Sequence, residues 1–358
     1  MHDKTIKNDD LTQLSDSLRV LPVQVGTRVE VPKSVPWAAG GEPIITPRTA
    51  QLGSIALQDF DENDQWQYMI EGKVWPYEDG DITFLPPAVA AKLPGPDLNC
   101  DKVNVLPVET ARAIRQNKNI KGVISFDHLG SISDSVAEEL AGCDVKILSL
   151  NGLKKLSPTA AKALATFRGE DLYLRGVQSL STEAAQALSD CEIWHVMLGL
   201  TALTADEAEG IGRSHIKLLT LSNLTVLTPE AARGISHFKG SRLALAEVTG
   251  LSPEAAAHLA TLDPNVELYL ANLAAMHVEV AKAFHRFKGY LLCPAVEAMT
   301  PEAARALCKC EGANLYFVNV DFSSFPSEVQ EWLNDPLRNK AKIQFHGKVF
   351  CPAIQEKP

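Results

Sequence analysis

The sequence predicts an α/β repeat solenoid, with short parallel strands on one face and short helices on the other. Three observations support this prediction. An L-x-L motif recurs with a period of about 24 residues, a helix-start motif follows it at a fixed distance, and the period is too short for two packed helices. The first apolar residues of the motif are Leu148, Leu172, Val196, Leu219, Leu243, Leu268, Leu291 and Leu315.

Each repeat reads as a strand, a turn, a short helix and a second turn. The L-x-L motif predicts a three-residue strand whose two apolar side chains point to the same side. The stretch Thr-Pro-Glu-Ala-Ala, as at Thr228, predicts an N-cap, a proline at the first helical position and an acidic first turn. We expect Lys239-Gly240 and Lys288-Gly289 to end their helices.

Weaker copies extend the array in both directions. Ile82-Thr83-Phe84, Val103-Asn104-Val105 and Ile124-Ser125-Phe126 match the strand motif on the N-terminal side, and Ile343-Gln344-Phe345 matches it as a final strand. We therefore expect about eleven units over residues 81–350, followed by a tail at residues 351–358.

The first 80 residues have a different composition. Prolines interrupt the stretch, Val23, Val25, Val29 and Val31 predict short strands, and QWQYMIEGKVW predicts a hairpin that turns at Glu71-Gly72. We expect residues 1–18, which are polar, to be mobile, and residues 19–80 to form an N-terminal cap over the open end of the array. A small independent domain is the alternative interpretation.

The complete repeat, L-x-L-x-x-L-x-x-L-[ST]-P-E-A-A, resembles the leucine-rich-repeat family, in a 24-residue variant typical of bacterial, planctomycete-type proteins. The resemblance covers roughly residues 80–350. It implies a parallel sheet on one face, helices on the other and a binding role. The sequence departs from the family where the standard repeat has Asn, because that position holds Leu153, Val177, Leu200, Leu224, Val248, Leu273 and Val296.

Composition and charge exclude several function classes. Apolar residues make up 46% and charged residues 22%, which is ordinary for a folded protein. The formal charge of −10 argues against non-specific binding to nucleic acid or to an anionic membrane. The start, MHDKTIKNDDLTQL, lacks the apolar stretch of a signal peptide, and seven cysteines form no tight framework. We therefore expect a cytoplasmic protein with reduced thiols.

The cysteines match core positions better than metal sites. Cys143, Cys191 and Cys310 each follow a helix Leu by three residues, a slot that elsewhere holds Phe167, Phe238, Leu262 and Phe287. Cys308 and Cys310 are a close pair without the further ligands that zinc needs. Cys293 occupies a strand Leu position. The sequence thus predicts buried thiols without a metal.

The other candidate chemical sites lack residues that their chemistry requires. The run from Asp59 to Asp64 resembles a calcium loop, but Asp64 replaces the required Gly and Ile70 stands at the twelfth position. The recurring Glu residues at helix starts are explained by the helix dipole. No hydrolase, nucleotide-binding or dinucleotide-binding motif occurs. We therefore predict no catalytic residue and no cofactor, and a protein that is not an enzyme.

The sheet face remains as a candidate binding surface. The middle residue of each L-x-L motif points away from the core, and tyrosines with mixed charges are typical of protein-binding surfaces. The candidate residues are Tyr173, His195, Arg242, Tyr269, Tyr290, Leu292 and Tyr316. We predict a protein or peptide partner, with Tyr269, Tyr290, Leu292 and Tyr316 forming one cluster. The opposing interpretation is that aromatic residues simply favour strands.

A second function also fits the sequence. The protein could be a structural or regulatory subunit of a larger complex, which it contacts through its N-terminal segment or its helix face.

Overall fold

The computed structural model describes residues 85, 87–100, 103, 105–335 and 338–345 in full, and only the backbone of the strands that lie within residues 28–84 and 348–350. The described chain divides into two compact units. The first contains residues up to 154 together with 166–173, and the second contains residues 155–165 together with those from 174 onward.

The N-terminal part of the first unit consists of antiparallel strand pairs. β1 (Arg28–Pro32) pairs with β4 (Pro47–Gln51), and β2 (Trp37–Ala38) pairs with β3 (Glu42–Pro43). β5 (Gln58–Phe60) pairs with β6 (Trp66–Tyr68), and β7 (Tyr77–Asp79) pairs with β8 (Ile82–Phe84).

These pairs refine the predictions for the first 84 residues. The strand expected around Val29 and Val31 is present as β1. Ile82-Thr83-Phe84 is a strand, but it pairs antiparallel with β7 and not within a parallel array. The predicted strand at Val23 and Val25, the turn at Glu71-Gly72 and the mobile segment 1–18 lie outside the described residues.

A parallel ladder follows in the first unit. β9 (Leu98–Asn99), β10 (Val123–Ser125), β11 (Ile147–Ser149) and β12 (Asp171–Leu174) pair side by side, with Leu98, Ile124, Leu148 and Leu172 in register. The helices of this unit are α1 (Pro87–Ala90), α2 (Val108–Gln116) and α3 (Asp134–Ala141).

One strand of this ladder lies earlier than expected. The strand before β10 begins at Leu98, and Val105 forms only an isolated bridge, so the prediction for Val103-Asn104-Val105 was wrong. The physical reason is that the strand begins at the first of three buried positions that recur with the same spacing in each repeat. Leu98, Cys100 and Val103 repeat the spacing of Leu148, Leu150 and Leu153, and all six side chains are buried.

The second unit contains a longer parallel ladder. Its strands are β13 (His195–Leu198), β14 (Leu218–Leu221), β15 (Arg242–Leu245), β16 (Glu267–Tyr269), β18 (Tyr290–Leu292), β20 (Asn314–Phe317) and β21 (Lys342–Phe345). The first apolar residues of the L-x-L motifs, from Val196 to Leu315, and Ile343 in the final strand pair in register, as the motif spacing predicts. β22 (Lys348–Phe350) pairs antiparallel with β21. β17 (Ala275–Met276) and β19 (Ala298–Met299) form a separate parallel pair.

The second unit also contains short helices. They are α4 (Pro158–Ala165), α5 (Thr182–Ala187), α6 (Ala205–Gly212), α7 (Pro229–Ile235), α8 (Pro253–Leu259), α9 (Val278–Ala283), α10 (Pro301–Leu307) and α11 (Ser327–Asn334). The predicted N-caps are confirmed at Ser181, Thr204, Thr228, Ser252 and Thr300, whose hydroxyls accept a hydrogen bond from the backbone three residues later.

The two glycine turns act differently from the prediction. α7 ends at Ile235 and α9 at Ala283, so Gly240 and Gly289 lie beyond the helix ends. A Cβ on Gly240 would lie 2.4 Å from the carbonyl oxygen of Ile216, and one on Gly289 would lie 2.7 Å from that of Val266. These glycines therefore allow close approach to the preceding repeat.

The core is built from the same slots in successive repeats. The seven apolar residues that replace the usual Asn, from Leu153 to Val296, are all at most 1% exposed. Cys143, Cys191 and Cys310 are buried together with the four residues predicted to share their slot. The predicted α/β, leucine-rich-repeat-like architecture, with strands and helices alternating, is therefore confirmed. The count of about eleven units stays a prediction.

Candidate functional site

The strand register of the second unit arranges the outward side chains in rows across the sheet. Ala244, Tyr269, Leu292, Tyr316 and Gln344 occupy equivalent positions on five successive strands of the ladder. Neighbouring strands lie about 4.8 Å apart, so Tyr269 and Tyr316 stand about 10 Å apart with Leu292 between them. Tyr269, Leu292 and Tyr316 are partly exposed, whereas Ala244 is buried.

A second row runs parallel to the first, two residues earlier in each strand. It contains Arg242, Glu267, Tyr290, Asn314 and Lys342. Arg242 and Glu267 form an ion pair with 2.8 Å between Nε and Oε1, and Nη2 donates to Oε2 at 3.1 Å. Tyr290 is 44% exposed beside this pair. The row therefore presents an aromatic ring next to a fixed pair of charges.

A third set of residues follows the strand ends, two positions after members of the first row. Its members are small or apolar, namely Ala246, Ala271, Pro294 and Val318, and Val318 is 39% exposed. Tyr290 and Val318 are two of the four large apolar side chains that are exposed in the described part of the chain. We call Tyr269, Tyr290, Leu292, Tyr316 and Val318 the aromatic patch.

The structure brings together four of the seven predicted binding residues. Tyr269, Leu292 and Tyr316 are neighbours in one row, and Tyr290 precedes Leu292 on the same strand. Arg242 lies one strand from β16 in the second row. His195 lies on β13, two strands before Arg242, where its Nε2 is 3.1 Å from the Thr220 hydroxyl.

Tyr173 belongs to the first unit and has polar surroundings. Its hydroxyl donates to Asp171 at 3.2 Å. Its row neighbour Ser149 donates to Asp127 at 2.6 Å, and the Asn151 amide donates to the same carboxylate at 3.0 Å. The sheet face of the first unit is therefore a hydrogen-bonded polar surface, in contrast to the aromatic patch of the second.

Burial disfavours the thiolate form of three core cysteines. Burial raises the pKa of Cys143 to about 12 and that of Cys191 to about 11. Burial also raises the pKa of Cys310 to about 12. These thiols are therefore protonated at neutral pH, and only the thiolate is strongly nucleophilic.

The described residues contain neither a metal centre nor a membrane helix. Among these residues, no group of three or more His, Cys, Asp or Glu side chains could hold a metal ion. Within the same part of the chain, no helix is long and apolar enough to cross a bilayer.

The structure also shows functional candidates that the repeat motif does not reveal. Val318 belongs to the aromatic patch, and its position two residues after the middle residue of the strand motif was the available signal. A cleft on the helix side, beside Trp332, belongs to the irregular segment after the last full repeat and had no repeat signal.

Comparison with solved structures returns leucine-rich-repeat proteins. The chain is similar to a leucine-rich-repeat protein of Leptospira interrogans, with 17% identity, 76% of this chain and 78% of that one covered and a TM-score of 0.37. It is similar to LegL7 of Legionella pneumophila, with 15% identity, coverages of 75% and 90% and a TM-score of 0.44. An internalin of Listeria monocytogenes shows 10% identity, coverages of 68% and 74% and a TM-score of 0.40.

No protein-family model matches the chain, and no curated protein matches it. The architecture therefore rests on the strand pairing and burial described above.

Proposed function

We propose that the protein is a non-enzymatic binding module that holds a protein or peptide partner on the sheet face of its second unit. The aromatic patch is the observation that carries this proposal. Strand register places Tyr269, Leu292 and Tyr316 in one row and Tyr290 in the adjacent row, and Val318 directly follows β20. Strand propensity alone does not explain the exposure of Tyr290 and does not apply to Val318, which lies outside a strand.

The chemistry of the patch suits a protein surface. Tyrosine provides a large apolar area with a hydroxyl at its tip and loses little conformational freedom on binding. The Arg242–Glu267 pair, at 2.8 Å, stands beside Tyr290 and offers both a donor and an acceptor to polar groups of the partner. This arrangement, an apolar centre with a polar rim, is typical of protein interfaces.

Charge and thiol chemistry support the remaining parts of the proposal. A net charge of −10 disfavours nucleic acid as the partner on electrostatic grounds. The six cysteines in the fully described part of the chain are buried free thiols, as expected for a protein of a reducing compartment such as the cytoplasm. The aromatic patch needs no cofactor to bind a peptide.

Selection from a displayed peptide library on the purified protein tests the proposal. We expect enriched peptides to bind the unmodified chain and to lose binding to a triple variant, Tyr269→Ala, Tyr290→Ala and Tyr316→Ala. Trp194→Ala is the matched control, because Trp194 is a 55% exposed aromatic residue outside the patch. Circular dichroism checks that both variants fold. Selected peptides that bind the triple variant as tightly as the parent would contradict the proposal.

A further inference from the structure

A cleft opens on the helix side of the second unit, on the opposite side of the repeats from the aromatic patch. It has a volume of about 510 Å³ and is lined by residues from the last full repeats and α11. Its lining residues are Lys282, His285, Glu302, Arg305, Ala306, Lys309 and Trp332. The lining contains three permanent cations and the Glu302 carboxylate; Lys282 pairs with Glu279 and Arg305 with Glu328 at the rim, so Lys309 is the lining cation for which the described residues provide no ion-pair partner.

An aromatic ring forms one wall of the cleft. The guanidinium of Arg305 lies 5.2 Å from the centre of the Trp332 ring, and that of Arg338 lies 5.7 Å from it. Arg305 donates to Glu328 at 2.6 Å, and Arg338 pairs with Asp335 at 3.0 Å. These contacts hold the indole in place with cationic groups around it.

Two N–H groups of this cluster lack an acceptor. Trp332 Nε1 and Arg305 Nε are shielded from water and make no hydrogen bond to any described residue. Both atoms can only donate, so only a hydrogen-bond acceptor can satisfy them. Leaving a buried donor unsatisfied costs about 1–3 kcal/mol. Because both groups are shielded from water, a ligand acceptor reaches them, and recovers this cost, only when the Arg305 guanidinium leaves Glu328 and moves off the Trp332 ring.

We propose that this cleft binds an acidic peptide segment of a partner protein, with a carboxylate beside an apolar side chain. The carboxylate accepts from Arg305 and Trp332 and is attracted by Lys309, for which the described residues provide no ion-pair partner. The apolar side chain packs on the Trp332 ring and Ala306. In the complex, Arg305 exchanges Glu328, which is 81% exposed, for the ligand carboxylate.

The surroundings favour a peptide over nucleic acid. The Glu302 carboxylate lies in the cleft, and Glu279 and Glu328 pair with cations at its rim. A phosphate chain that passes the cleft would meet these three carboxylates, whereas a single peptide carboxylate reaches the cations without contacting all of them. The volume of about 510 Å³ also lies within the range of about 300–1,000 Å³ that is typical of ligand pockets.

Titration of the full-length protein with two capped peptides tests the proposal. The probe is Ac-Glu-Phe-Glu-NH₂, and its matched control is Ac-Gln-Phe-Gln-NH₂. The readout is the indole N–H resonance of Trp332, which is assigned as the signal that Trp332→Phe removes. We expect the acidic peptide to shift this resonance, and the amide peptide to bind at least about tenfold more weakly because it lacks the charge.

Variants locate the binding on this cleft. Lys309→Gln is expected to weaken binding of the acidic peptide about threefold. Trp332→Phe keeps an aromatic ring but removes the N–H group, and its affinity, measured by isothermal titration calorimetry because the indole signal is gone, is expected to fall about tenfold. Lys239→Gln, at an exposed lysine outside the cleft, and Tyr290→Ala, in the aromatic patch, are expected to leave the affinity unchanged. Unaltered binding in Tyr290→Ala separates this site from the function proposed for the sheet face.

Several results would overturn the proposal. These are no shift of the indole resonance at millimolar peptide, equal affinity for the amide peptide, or unchanged affinity in both Lys309→Gln and Trp332→Phe. Tighter binding of a DNA duplex than of the peptide at the same resonance would assign the cleft to nucleic acid. Equal affinity for benzoate would assign it to small carboxylates.

Discussion

Replacing Gly199 with alanine tests the stacking of the repeats. Gly199 follows β13, and its amide donates to the carbonyl of Leu174 in the preceding repeat at 3.2 Å. A Cβ at this position would lie 1.6 Å from the Arg175 carbonyl oxygen and 2.5 Å from its carbonyl carbon. Both obstacles are backbone atoms, so no side-chain rotation relieves the clash.

The magnitude follows from these distances. Cβ contacts below about 3 Å do not persist, so the two backbone segments must separate by more than 1 Å and the bond from Gly199 to Leu174 breaks. Overpacking costs about 1–3 kcal/mol, and a buried unsatisfied amide adds about 1–3 kcal/mol. Alanine also lowers the conformational entropy of the unfolded chain, which stabilises the folded state by about 0.4–1 kcal/mol and offsets part of the loss. We expect Gly199→Ala to lower the free energy of unfolding by about 2–5 kcal/mol.

Urea unfolding followed by circular dichroism measures this loss, with Gly250→Ala as the matched control. A Cβ added at Gly250 would meet no atom within 4 Å, and the backbone there is not left-handed, so alanine is expected to change stability by less than about 1 kcal/mol. Equal effects of the two substitutions would refute the close approach of backbone between these repeats.

Three further predictions concern helix caps, core slots and thiols. Thr204→Ala removes a capping box with Glu207 and should cost about 1–2 kcal/mol in urea unfolding, whereas Thr225→Ala, in an exposed loop, should cost less than about 0.5 kcal/mol. Phe238→Ala empties a slot that is 0% exposed and should cost about 3–5 kcal/mol by the same assay; a loss below about 1 kcal/mol would contradict its core role. Because burial raises the pKa of Cys191 from 9.0 to about 11, the unfolded chain releases this proton first, and its contribution to stability should fall by up to about 1.4 kcal/mol per pH unit between pH 9 and 11. Cys191→Ala should make the pH dependence of the unfolding free energy shallower in this window, and an unchanged slope would contradict the buried, neutral thiol.

The sequence was sufficient for the repeating elements. A strand with two inward-pointing apolar residues and a capped helix recur at a fixed spacing. The first apolar residues of the motifs from Val196 to Leu315 pair in the predicted register. The same periodicity identified the core slot of Cys191 and Cys310, because residues in equivalent positions of stacked repeats share one environment.

The sequence was insufficient where the repeat is irregular. Two apolar triplets compete for the strand position before β10, and Val103-Asn104-Val105 looks more strand-like than Leu98-Asn99-Cys100. The choice depends on burial: Val103 is buried three residues after Cys100, as Leu153 is three residues after Leu150, so Val103 follows the strand and does not begin it. The function of Gly240 depends on a backbone oxygen of the preceding repeat, which a local turn rule does not include.

The candidate site was predictable in part for the same reason. Strand register places Tyr269, Leu292 and Tyr316 in one row, and the alternation of the strand exposes them. The cleft beside Trp332 was not predictable, because it depends on the packing of α11 against α10 after the last regular repeat.

The most direct test of the proposed function is the affinity of a selected peptide for the single variant Tyr290→Ala, measured by isothermal titration calorimetry. Loss of a central tyrosine costs about 2 kcal/mol or more at an interface, so we predict at least about a thirtyfold rise in Kd. Trp194→Ala, which removes a more exposed aromatic ring elsewhere in the same unit, should leave Kd within about twofold. Equal Kd values for Tyr290→Ala and the unmodified protein would contradict binding on the aromatic patch.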